Sequence, residues 1–133
     1  MKAVDTNVLV RFLVQDDETQ AQIATSLLND AETLKQPLFV SNVVVLELMW
    51  VLRSVYEVPR EEILGSLNEL LSMMALEFQD SLVVRDFVTS AQNNTYDLAD
   101  LLISQVARGK GCATTLTFVD ILPRLKSGDS YGS

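Results

Sequence analysis

The chain reads as a single α/β domain, and three observations predict that class. Short extended apolar segments alternate with stretches of helical period along its 133 residues, which implies parallel βαβ units and a sheet covered on both faces. The apolar fraction of 48% against 21% charged is that of a folded globular domain. The length suits one core, and no repeat, low-complexity tract or linker divides it. The domain is expected over residues 1–126, with 127–133 a frayed tail.

Each element has its own signal. Lys2-Ala3-Val4 is a brief extended run ending at Asp5, followed by a short helix over 8–13. Asp17, Glu18, Thr19 and Gln20 resemble a capping box with Asp in the capping position, so a helix opens there. Its stripe of Ile23, Ala24, Leu27, Leu28, Ala31 and Leu34 follows the 3.6 period, and Pro37 stops it. Leu38, Phe39 and Val40 read as a buried strand. Ser41 or Asn42 caps a helix running to about Tyr56. Pro59 with Glu61 and Glu62 opens the next, whose stripe is Ile63, Leu64, Leu67, Leu70, Leu71 and Met74. Leu76, Glu77 and Phe78 read as a strand, and a helix over 81–92 buries Val84, Phe87, Val88 and Ala91. Thr95 caps a helix over 96–108, closed by Gly109 and Gly111. Residues 112–116 read as the last strand, with Cys112 buried in it, and 118–125 as mostly helical.

Composition narrows the chemistry. With no histidine, imidazole bases, Ser-His-Asp triads and His-containing zinc sites are excluded. The single cysteine, Cys112, excludes intrachain disulfides and Cys-rich metal clusters. The net charge of −8 is wrong for holding nucleic acid by phosphate neutralisation alone, but suits carboxylates that first collect divalent cations. It also suits a basic partner. No apolar run is long enough to span a membrane, and the N-terminus lacks the pattern of a signal peptide, so a soluble, cytoplasmic protein is expected.

The acids stand at telling places. Ligands of open parallel sheets sit beyond the carboxyl ends of the strands, and Asp5 ends the first strand. Asp5 could equally cap the helix after it, but the triplet Asp5-Thr6-Asn7 offers more polar groups than one cap requires. Glu47 interrupts a helix, Val43 to Leu52, that is apolar on every other face and so reads as buried all round. A carboxylate there needs a metal, strong donors or a salt bridge, for which Arg53 is the nearest candidate. Asp97, Asp100 and Ser104 share one helical stripe, while Ala99, Leu102, Ile103 and Val106 line the core side. Asp97 complements the helix dipole, whereas Asp100 repels Asp97 and suggests a cation between them. Asp120 is either a helix cap or a further ligand. Trp50 and the Met73-Met74 pair read as core or interface packing.

The opening Met1-Lys2-Ala3-Val4-Asp5-Thr6-Asn7, the run Val45-Leu46-Glu47-Leu48 and the segment Asp97-Leu98-Ala99-Asp100-Leu101-Leu102-Ile103 resemble, in that order and spacing, a PIN domain of the VapC toxin type. The resemblance covers nearly the whole chain. It implies a three-layer α/β/α sandwich with a mainly parallel central sheet. It implies Mg²⁺- or Mn²⁺-dependent RNA hydrolysis by the toxin half of a toxin–antitoxin pair, with a cognate antitoxin as partner. The family's acids carry over onto Asp5, Glu47 and Asp100 as metal ligands, with Asp97 as an additional site acid and Thr6 as the hydroxyl beside the first acid. One position departs: the family commonly places an acid directly after a Thr-Phe pair, where this chain has Val119 and brings Asp120 one residue late.

A chain without histidine that cleaves phosphodiesters at neutral pH needs metal-activated water, and carboxylate oxygens suit Mg²⁺ and Mn²⁺. Thr6 would orient the phosphate or the water, and Arg11, Arg53, Arg108 and Lys110 would rim the site. A dehalogenase-type phosphatase would need a second acid where Asn7 stands. The alternative from another class is a catalytically impaired PIN fold that binds RNA or protein, which Val119 invites. The apolar Val43, Val44, Trp50 and Val51 point to a homodimer.

Overall fold

The computed structural model describes residues 1–116. In chain order the elements are α1 (Thr6–Val14), α2 (Glu18–Thr33), β1 (Leu38–Val40), α3 (Asn42–Ser54), α4 (Arg60–Ser72), β2 (Leu76–Phe78), α5 (Ser81–Ala91) and α6 (Leu98–Gly109). β1 and β2 pair in parallel with Leu38 opposite Leu76 and Val40 opposite Phe78. On the other side of β1, Ala3 bridges Phe39 in parallel: Val4 donates to the Phe39 carbonyl at 3.0 Å and Phe39 to that of Lys2 at 2.8 Å. β1 is thus the middle of a small parallel sheet, and the fold is α/β. Its cover is uneven, since Glu77 is exposed while its neighbours Leu76 and Phe78 are buried.

The helices start where short polar side chains meet orphan amides. Asp5, Asp17 and Ser41 accept from the amides of Val8, Gln20 and Val44. Pro59 opens α4 without a side-chain cap, and the first-turn acids Glu61 and Glu62 complement the dipole. The core gathers Leu9, Val40, Val45, Leu48, Ile63, Leu67 and Phe87, among others. Arg11 ties the end of α1 to Asp16 at 2.9 Å and to the Tyr56 hydroxyl. That carboxylate bond holds the guanidinium pKa above its ordinary value.

Several expectations are corrected. The Val43–Leu52 region is not buried all round: α3 packs Val45, Leu48, Met49 and Leu52 inward and leaves Val43, Glu47 and Trp50 exposed. On α2, Ala21, Ala24, Leu28 and Ala31 are buried, whereas Ile23, Leu27 and Leu34 face outward. Met74 lies past the end of α4 and is exposed. Asp97, not Thr95, caps α6, and only Leu102 of that helix is fully buried; Ile103 is exposed. Residues 112–116 form no strand among the described residues, and Cys112 is exposed. The expected segment 118–125, the tail 127–133 and Asp120 lie outside the described residues. Among the described residues no helix is long and apolar enough to cross a membrane.

Candidate active site

Three backbone ends converge at the carboxyl edge of the sheet. The N-terminal segment delivers Asp5, β1 delivers Ser41 and Asn42, and β2 delivers Gln79 and Asp80. Gln79 donates its amide to the Val40 carbonyl at 2.8 Å, and its side-chain oxygen accepts from the Asn42 amide at 3.0 Å. The Asn42 side chain donates to Asp80 at 2.7 Å. Asp80 therefore makes no side-chain cap to α5. Asp80 stands two residues past the end of β2, so the strand's position alone puts an acid at this edge.

Asp5 stands at the N-terminus of α1, exposed, with one carboxylate oxygen on the Val8 amide at 3.2 Å. Thr6 opens the helix, is 4% exposed, and its hydroxyl oxygen has no hydrogen-bond partner among the described residues. A buried hydroxyl that stays without a partner costs free energy. Glu47 stands on the outward face of α3 and is exposed, which removes the burial cost expected of it. It makes no ion pair with Arg53, since the one ion pair among the described residues is Arg11–Asp16. Asp97 accepts from the Asp100 amide at 3.0 Å, and both side chains are exposed in the first turn of α6.

Packing brings these elements together in part. α3 lies against both α1 and α6, so Glu47 is on the helix that the other two share. Glu47 and Asp97 line one cavity of about 860 Å³, with Trp50, Arg53 and Tyr96. Asp5 and Asp100 do not line it. Among the described residues no three acid or thiol side chains gather closely enough to hold a metal ion. The basic residues divide as well. Arg53 lines the cavity, Arg11 is engaged by Asp16, and Arg108 and Lys110 stand at the opposite end of α6 from Asp97.

The donor type, though not the spacing among the described residues, suits a hard divalent cation. Asp5, Glu47, Asp97 and Asp100 present carboxylate oxygens to solvent, without cationic partners among the described residues, and the unsatisfied Thr6 hydroxyl is next to the first of them. A family model described as PIN domain matches residues 2–126. Neither curated proteins nor solved structures give a match.

Proposed function

The chain belongs to the PIN domain family, and from that premise we propose that it is a Mg²⁺- or Mn²⁺-dependent ribonuclease and the toxin of a toxin–antitoxin pair. PIN domains are generally nucleases, hydrolases of phosphodiester bonds that typically use divalent metals. The observation that carries the finer reading is the set of four solvent-facing carboxylates, free of cations among the described residues, on the ends and faces of α1, α3 and α6.

In this reading Asp5, Glu47 and Asp100 would hold the cation, although they do not stand together in one cluster among the described residues. Asp97 adds a further acid and anchors the backbone at Asp100 through its amide. When bound, the cation supplies Lewis acidity, lowering the pKa of water and neutralising charge that develops on phosphate oxygens. The Thr6 hydroxyl, buried and without a partner among the described residues, would orient the scissile phosphate or the attacking water only where binding exposes it. A cognate antitoxin would meet this acidic surface with a basic segment, and a second copy of the chain would complete a homodimer.

The test is Mn²⁺-dependent cleavage of mixed-sequence RNA by the wild type, by Glu47→Gln and by Asp100→Asn. Loss in both variants, with unchanged far-UV circular dichroism, is expected. Undiminished cleavage in either removes that residue from the site. A second reading, a PIN fold that binds without cleaving, is favoured by the absence of a three-acid cluster among the described residues. It predicts no metal-dependent cleavage by the wild type.

A further inference from the structure

We propose that the cavity between α3 and the start of α6 is a subsite for one unpaired nucleobase of RNA, stacked against Trp50 and Tyr96; this rests on the nuclease reading of the acids beside it. Both aromatics line the cavity, yet Trp50 is 63% and Tyr96 67% exposed, so large flat apolar surfaces are presented to solvent. Their positions link them to the candidate chemistry. Trp50 is one turn along α3 from Glu47, and Tyr96 directly precedes Asp97. Glu47, Trp50 and Arg53 recur at three-residue spacing, so an acid, an aromatic ring and a cation follow one another along the same wall. Arg53 makes no ion pair among the described residues and could meet a phosphate.

The far wall is fastened in advance. Arg60 donates to the carbonyls of Tyr96 and Ala91 and to the Asn94 side chain, fixing the segment that carries Tyr96. A preset wall lowers the ordering cost of binding. The cavity's volume of about 860 Å³ falls in the range of about 300–1,000 Å³ typical of ligand sites. Bases of a duplex are stacked on both faces and cannot enter, whereas a splayed base of a single strand can lie on aromatic rings. A second copy of the chain is a poorer occupant, and the proposed homodimer would have to pair away from Trp50. A two-fold interface here would bury Glu47, Asp97 and their copies against an apolar wall.

Trp50 is the only tryptophan, so its fluorescence reports on the cavity directly. An Asp5→Asn protein in Mg²⁺ is titrated with a single-stranded RNA octamer of mixed sequence, the same backbone without bases, and an octamer duplex. A saturable fluorescence change with the single strand alone is expected. In calorimetric titration, Trp50→Ala and Tyr96→Ala each weaken octamer binding by about tenfold. With Asp5 restored, Trp50→Ala raises KM for cleavage by a similar factor. Equal binding of the abasic backbone overturns the proposal, as does unchanged octamer affinity in both variants. A fluorescence shift driven by protein concentration alone also overturns it, because a second copy then covers Trp50. The two readings separate cleanly. Base-dependent binding without cleavage by the wild type keeps the subsite and removes the nuclease, and cleavage with unchanged KM in Trp50→Ala does the reverse.

Discussion

At Asp5 one carboxylate both caps α1 and stands among the proposed metal ligands, and two substitutions separate the roles. Asparagine caps as well as aspartate but has no charge to offer a hard cation, while alanine can do neither. Asp5→Asn is expected to keep the wild-type urea midpoint and lose metal-dependent cleavage. Asp5→Ala loses cleavage and about 1 kcal/mol of stability as well. Full activity in Asp5→Asn would leave this residue a cap and nothing more. Thr6 makes the complementary case. Its hydroxyl is buried without a partner among the described residues, so valine, which keeps the shape and drops the oxygen, is expected to stabilise the fold by about 1 kcal/mol while slowing cleavage. Urea unfolding and initial rates measured side by side check it. A less stable Thr6→Val protein would mean that the hydroxyl is satisfied in solution and has no reason to be read as functional.

Close packing between α5 and α6 at Gly109, and open space at Gly65 on α4, give the two glycines opposite signs. A Cβ built on Gly109 would meet the Val83 Cγ2 at 2.9 Å, whereas one on Gly65, in the middle of α4, meets nothing within 4 Å. Gly65→Ala is expected to stabilise by about 0.5–1 kcal/mol through helix propensity, and Gly109→Ala to destabilise by about 1 kcal/mol through overpacking. Thermal melts of the two variants check both signs; a stabilised Gly109→Ala would show that α5 yields at Val83 without cost. This contrast explains which parts of the fold were legible in the sequence. Caps at Asp17 and Ser41 are local, satisfied by amides three residues on, and they place α2 and α3 from the residues alone. The buried face of α3 is another matter. Val43, Val44, Val45 and Leu46 are apolar in succession, so periodicity carries no direction there, and only the packing of α1 and α6 turns Glu47 and Trp50 outward. Thr95 and Asp97 are both good caps two residues apart, and local chemistry does not choose between them. The residues at 112–116 have strand propensity, but strand formation needs a pairing partner that propensity does not supply. For the site, the order of acids along the chain named its candidates. Spacing aligns Glu47 with Trp50 on one helix, but that Asp97 and Tyr96 line the same cavity depends on contacts across elements.

An acidic molecule of net charge −8 that acts on RNA must have its charge compensated where the two meet, and this sets an expectation for the whole domain. Asp5, Glu47, Asp97 and Asp100 have no cationic partners among the described residues, so a divalent cation held by the folded state and not by the unfolded chain adds stability by mass action. At a concentration one hundred times the dissociation constant the gain is about 2.7 kcal/mol, or roughly 10 °C in Tm for a domain of this size. Screening competes as an explanation, because any salt relieves repulsion among surface acids. The two differ in their dependence on charge and on residue. Mg²⁺ and KCl at matched ionic strength should raise Tm unequally if a site exists, with Mg²⁺ well ahead and its excess missing in Asp100→Asn. Equal shifts from both salts, or an excess that survives Asp100→Asn, would assign the effect to diffuse screening. The four carboxylates would then be a solvated acidic face, and RNA would have to be held by Arg53 and the aromatic wall without their help.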